Sequence, residues 1–124
     1  MIVKYARERI YVGGGKDPHF SLGSIYLVFG LTFRLNSQGN SSTVTLLSDM
    51  EEYPGAWDFC HFDIVDDSLP SDWVFYSLET RGLYRLCPQK FTGNFWDHFH
   101  DGDKAAEQVF SEVRKELVDF HRFK

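Results

Sequence analysis

The chain has 124 residues and a formal net charge of −5, with 43% hydrophobic, 25% charged and 17% aromatic residues. That length makes one domain, residues 1–124, able to bury a core without disulfide staples. The acidic balance argues against general nucleic-acid binding, which selects a basic surface, and no window is apolar enough for a membrane span.

The N-terminal run Met1-Ile2-Val3-Lys4-Tyr5-Ala6-Arg7-Glu8-Arg9 has no apolar centre of signal-peptide length. A cytoplasmic location is expected, with Cys60 and Cys87 as reduced, buried thiols. Residues 2–12 read as a strand, although Arg7-Glu8-Arg9 interrupts the pattern. Gly13-Gly14-Gly15 lacks the spacing of a phosphate-binding loop and reads as a flexible turn. Pro18 keeps Asp17 out of helical conformation and continues the loop.

Residues 24–36 are the clearest strand. Ile25, Leu27, Phe29, Leu31, Phe33 and Leu35 share one face by the period of two; Tyr26, Val28, Thr32 and Arg34 share the other. Gly30 in the middle predicts a bulge or sharp bend. A five-residue turn, 37–41, leads to a partner strand over 43–48. Residues 50–57, with Pro54-Gly55, read as a loop. Residues 59–65 resume extended structure, with Cys60, Phe62 and Ile64 facing the core. A turn over 66–71 precedes a second hairpin, 73–78 and 83–87, which Pro88 ends.

Beyond Pro88 the pattern becomes helical. Asn94 is placed to cap a short helix carrying Phe95, Trp96 and Phe99, with Asp97 in its first turn. Asp101-Gly102 breaks that helix, and Asp103 caps the next. Ala106, Val109, Phe110, Val113, Leu117 and Phe120 then trace one helical stripe. Strands followed by helices predict an α+β fold. Its antiparallel, strongly bent sheet of five to six strands is covered on one face and curls towards a partly closed barrel. A short helix and a long C-terminal helix follow it.

The stretch 49–79 holds nine carboxylates, Asp49, Glu51, Glu52, Asp58, Asp63, Asp66, Asp67, Asp72 and Glu79, and no Lys or Arg. Tyr53, Trp57, Phe59, Phe62, Trp73, Phe75 and Tyr76 are interleaved with them. Acids set among apolar anchors suit the capture of a basic protein. The plainer reading is outward-facing strand positions that only solvate the surface.

Other constellations are weaker. Asp97-His98-Phe99-His100-Asp101-Gly102-Asp103 has metal-ligating residue types, but His98 and His100 point about 200° apart on a helix. End capping explains the run as well. Cys60 and His61, if in a strand, face opposite sides and cannot pair. No nucleophile elbow and no singled-out carboxylate pair is present. The expectation is a protein without catalytic residues, cofactor or metal.

Phe20-Ser21-Leu22-Gly23-Ser24-Ile25-Tyr26-Leu27-Val28-Phe29-Gly30 resembles the opening of small SH3-like barrels in uncharacterised bacterial proteins. Phe62-Asp63-Ile64-Val65, Leu69-Pro70-Ser71-Asp72-Trp73, Asn94-Phe95-Trp96-Asp97-His98-Phe99 and Asp101-Gly102-Asp103 with the closing helix are similar to small bacterial immunity proteins. Those are the cognate inhibitors encoded beside polymorphic or contact-dependent growth-inhibition toxins. The resemblance implies a cytoplasmic, non-catalytic protein that binds a toxin domain, with a basic nuclease favoured. It implies no nucleic-acid or membrane partner, and a monomer is favoured. The expected contact is the loop 49–58, with Asp49, Glu51, Glu52, Tyr53, Trp57 and Asp58, then Asp66, Asp67 and Asp72. Two alternatives stay open: an adaptor module without a toxin, and a small metal-dependent hydrolase using His98 and His100.

Overall fold

The structure is a computed structural model that describes residues 1–124 except Gln38, Arg81 and Lys124. Seven strands run in chain order: β1 (Ile2–Tyr5), β2 (Ile25–Asn36), β3 (Gly39–Leu46), β4 (Gly55–Asp58), β5 (Phe62–Asp66), β6 (Trp73–Ser77) and β7 (Leu83–Pro88). Two 3₁₀ turns, Phe59–His61 and Gln89–Phe91, and two helices, α1 (Phe95–His100) and α2 (Lys104–His121), complete the described elements. The fold is α+β with an open antiparallel sheet in the order β4-β3-β2-β1-β5; β7 also pairs with β2, and β6 with β7.

Both expected hairpins form, as β2–β3 and β6–β7. The first is tighter than the five-residue turn expected for it. Pairing continues to Asn36 opposite Gly39; Gln38 of that turn lies outside the described residues. Residues 55–58 were expected in a loop but form β4, with Val44 opposite Trp57 and Thr45 opposite Ala56. β1 stops at Tyr5, well short of residue 12. After it the chain bends, and the arginine side chains serve other elements, as described below.

β2 organises the sheet. Its first residues pair with β1 and its later ones, Leu31–Arg34, with β7, while β3 runs along the opposite edge. The β2–β3 register shifts between Val28 and Gly30, so the bulge predicted at Gly30 is present. One extra residue reverses the alternation. Leu27 and Phe29 pack with Ile2, Phe91, Phe95, Phe99, Phe110 and Leu117 beneath the helices. Tyr26 and Val28 pack in the second cluster, with Val3, Tyr5, Phe20, Val44, Leu46 and Phe62. Beyond the bulge Leu31 joins this second cluster, and Phe33 packs against it. The expectation that Leu31 and Phe33 share a face with Leu27 and Phe29 therefore fails. Space at position 30 is tight: a Cβ there would lie 3.3 Å from Cys87 Cβ and 3.4 Å from the Leu86 carbonyl, so a side chain would need these neighbours to shift by a few tenths of an ångström.

The sheet is thus covered on both faces and not on one. Helices cover the first. The connection between β1 and β2 returns over the second and inserts Phe20, which stacks on Tyr5 at 5.1 Å and meets Phe62 and Trp57 edge-on at 5.2 and 4.8 Å. Aromatic pairs in these geometries add to the stabilisation from burial.

On the helical side Asp103 caps α2 as expected, its side chain accepting from the Ala105 N–H at 2.8 Å. Ala106, Phe110, Val113 and Leu117 are buried, Val109 is half-buried, and Phe120 at the stripe's end is exposed. Asn94 precedes α1, but its side chain makes no capping hydrogen bond. Phe91, in the 3₁₀ turn after β7, is fully buried and stacks on Phe95 with ring centroids 4.7 Å apart.

The β6–β7 turn closes tightly against the end of β2. Gly82 has φ +79°, and a Cβ there would lie 2.6 Å from the Leu35 carbonyl. The Leu35 N–H donates to the Gly82 carbonyl at 2.7 Å. Gly82→Ala combines a left-handed backbone with a backbone clash and is expected to cost about 2 kcal/mol or more. Denaturant midpoints at unchanged m-value measure it.

Candidate functional site

The acidic loop is held by residues from the β1–β2 connection. Arg9 forms an ion pair with Asp17, whose side chain is only 4% exposed. Asp17 also accepts from the His19 backbone N–H at 2.9 Å and faces His19 Nδ1 at 2.9 Å. The Arg9 hydrogen bond is the first reason that the Asp17 carboxyl is held well below the usual carboxylate range. The Arg9 guanidinium lies 4.6 Å from the centroid of the Trp57 ring, and the His19 ring lies 5.2 Å from it. This cation–π contact and the Phe20 contact turn Trp57 inward. Trp57 is half-buried against the second core and does not form the exposed anchor expected of it.

Asp49 starts the loop and is a fastening point. Its carboxylate accepts from Ser21 Oγ and from the Tyr26 hydroxyl, each at 3.0 Å. Its N–H donates to the His19 carbonyl at 2.8 Å. Burial and the neighbouring carboxylate push the Tyr26 hydroxyl up to about 12. Past this point the loop turns outward: Met50 is 62% and Tyr53 55% exposed, and Glu51 and Glu52 between them are exposed as well. Tyr53 rests edge-on against Phe99 with centroids 5.6 Å apart, which limits its freedom. Glu51 lies 3.9 Å from His19 Nε2. Buried Pro54 then leads into β4, which ends at exposed Asp58.

The second group of predicted residues is held by other elements. Asp66 closes β5, accepting from the Ser68 N–H at 2.9 Å and from His121 Nδ1 at 3.2 Å. The hydrogen bonds from Ser68 lower its carboxyl to about 2. His121 Nε2 lies 2.7 Å from the Met1 nitrogen. The His121 side chain is almost fully buried, and burial pushes its pKa below 6.5. Asp67 is exposed, and Asp72 is half-buried with its carbonyl accepting from the Gln89 N–H at 3.0 Å. Asp66 is thus occupied by structural partners, while Asp67 is a surface carboxylate.

The histidine-rich run is divided between helix ends. His98 Nδ1 lies 3.7 Å from Asp103 Oδ2, whereas His100 stacks on Trp96 at 6.0 Å. Cys87 is buried as expected, but Cys60 is exposed, and both are free thiols. Residues 59–61 were expected in a strand with Cys60 and His61 on opposite faces. They form a 3₁₀ turn instead, and one ligand atom from each of Asp58, Cys60 and His61 lies within 4.8 Å of the others. The turn begins at Asp58, whose Oδ1 accepts from the Cys60 N–H at 3.2 Å. An Asp two residues before the turn's own N–H was the readable signal, because Asp side chains make this bond readily. Ile64, also expected in the core, is 47% exposed, whereas Phe62 on the same strand is buried.

Compared with family models, curated proteins and solved structures, the chain matches none. Among the described residues no helix is long and apolar enough to cross a membrane.

Two measurements check the supports. Asp17→Asn leaves Arg9 without its counter-charge beside Trp57 and is expected to cost on the order of 2–3 kcal/mol in chemical denaturation. His121 has a lowered folded-state pKa, so the unfolded chain takes up its proton first as pH falls. Its contribution is present above pH 6.5 and declines as pH falls below 6.5. A His121→Gln variant is expected to lose that part of the pH dependence, read as a flatter thermal-midpoint profile below pH 6.5.

Proposed function

We propose that this chain is a non-catalytic immunity protein, which captures a basic toxin domain, a nuclease first among them, through the loop 49–58. The observation that carries the reading is the outward segment Met50-Glu51-Glu52-Tyr53. It offers two exposed apolar side chains and two carboxylates on a base fastened at Asp49. Apolar anchors that desolvate at the centre of a contact supply most of the binding energy. Surrounding charge raises the association rate above the neutral ~10⁵–10⁶ M⁻¹s⁻¹ and rejects acidic partners.

A nuclease must grip phosphate, so its substrate cleft is basic and complementary to such a loop. The resemblance to small bacterial immunity proteins points the same way. Within the reading, Glu51, Glu52 and Tyr53 make the contact. Trp57 and Asp49 hold its base, Asp58 borders it, and exposed Asp67 adds to the long-range field.

The test is a 1:1 complex with a basic toxin domain from the same cell, followed by calorimetry and by loss of the toxin's activity. Glu51→Lys/Glu52→Lys is expected to weaken binding at least a hundredfold, mostly through association rate at low salt. Tyr53→Ala is expected to weaken it roughly thirtyfold, the equivalent of about 2 kcal/mol. Asp49 is left intact, since its loss frees the Tyr26 hydroxyl and disturbs the fold. Unchanged binding in the combined Glu51→Lys/Glu52→Lys/Tyr53→Ala variant removes the loop from the contact. A chain that binds and silences no basic toxin overturns the function.

A further inference from the structure

We propose that Asp58, Cys60 and His61 form a site for a thiophilic divalent cation of the zinc type. Their side chains supply one carboxylate oxygen, one sulfur and one imidazole nitrogen within 4.8 Å of one another. That is a mixed donor set suited to Zn²⁺ or Co²⁺ and unlike the all-oxygen shells of Ca²⁺ and Mg²⁺. Bonds of about 2.0–2.3 Å at tetrahedral angles place ligand atoms roughly 3.3–3.6 Å apart. The three need to close by about an ångström, which side-chain rotation of the exposed Cys60 and Asp58 supplies.

The backbone under the site is held in place. The His61 carbonyl accepts from the Ala6 and Arg7 N–H groups at 3.0 and 3.1 Å. Arg7 Nε and Nη2 donate to the carbonyls of Cys60 and Phe62 at 2.7 and 2.9 Å. His61 Nδ1 lies 3.1 Å from the Arg7 carbonyl, which can only accept, so Nδ1 carries the proton. This leaves Nε2 with its lone pair, and a backbone partner on the other ring nitrogen is the usual support of a metal-bound histidine. Arg7 Nη1 also faces Asp63 at 2.8 Å.

The charge count also closes. Cys60 is a free cysteine, and the thiolate is the form that ligates a metal. On binding, the sulfur–hydrogen bond is replaced by a sulfur–metal bond and the proton passes to solvent. One thiolate and one carboxylate then balance a dication. The site borders an open cleft of about 620 Å³ lined by Arg7, Asn40, Asp58, Cys60 and Asp63 among others. That opening leaves the fourth position to water or a donor from outside the chain. The ion would tie the end of β4 to the start of β5. This inference stands independently of toxin capture.

The reduced, chelator-stripped full chain titrated with Co²⁺ tests it. A thiolate-to-cobalt charge-transfer band and the visible bands of tetrahedral cobalt are expected, both removed by added Zn²⁺. Zn²⁺ is expected to raise the thermal midpoint and release a proton. Cys60→Ser is expected to abolish the charge-transfer band, and His61→Ala to weaken affinity at least tenfold. His98→Ala/His100→Ala is expected to bind as the parent does. Circular dichroism establishes that each variant is folded; His61→Ala and Cys60→Ser carry the test independently. No charge-transfer band in excess Co²⁺, or a band that survives in folded Cys60→Ser, overturns the proposal. So does a band that depends on His98 and His100.

Discussion

The bulge at Gly30 is the constraint on which the rest of the fold depends. Among the described residues β2 is the only strand paired to three others, and the bulge switches which of its alternate residues face which core. Before the bulge its inward residues Leu27 and Phe29 meet the helices. After it, Leu31 and Phe33 meet the opposite cluster. The close approach of β7, with Cys87 and the Leu86 carbonyl near where a Cβ would stand, leaves little room for a side chain at the position. Two small cores separated by one sheet replace a single large one. Both are dense in rings, since a half-core of limited volume gains most from side chains of large area.

The second core determines where charge can be displayed. It is sealed by a long connection with little regular structure, anchored by Phe20 and by the Arg9–Asp17 pair. Residues used in that sealing are unavailable to a partner: Trp57 lies under Arg9, and Asp49 is engaged by two hydroxyls. What remains outward is short and definite. The lysine-free acidic stretch divides into carboxylates that fasten the fold, such as Asp49 and Asp66, and carboxylates that face solvent, such as Glu51, Glu52, Asp63 and Asp67.

The legible parts of the sequence were those with local causes. α2 declares itself by a long stripe and an Asp cap, and the β6–β7 hairpin by turn chemistry on both sides. β2 was legible as a strand and its bulge as a glycine. Its change of face was not, because that follows from how β7 approaches. β4 was hidden by its own composition: Gly-Ala-Trp-Asp after Pro54 carries turn residues, and only pairing with β3 makes it a strand. Asp49, Glu51 and Tyr53 stand out by composition, yet Asp49's fastening role depends on Ser21 and Tyr26, far off in sequence. Cys60 and His61 were misplaced because one 3₁₀ turn breaks a period-two reading that fits residues 59–65 equally well.

Edge chemistry links these observations. β4 and β5 end the sheet path, and open edges invite pairing with another chain. β4 is four residues long, preceded by Pro54 and ended by Asp58. β5 carries Asp63 and pairs through a register shift against β1. Short length, carboxylates and irregular register all discourage an added strand. A partner approaching these edges therefore meets side chains before it meets backbone, and recognition by β-augmentation is disfavoured. Contact through the projecting Met50–Tyr53 segment needs no free edge. The same protection explains why an exposed thiol and a half-buried imidazole can sit between β4 and β5: Arg7 donates to two of the carbonyls around the turn from within the chain. Their side chains remain available for chemistry while the backbone beneath them stays paired.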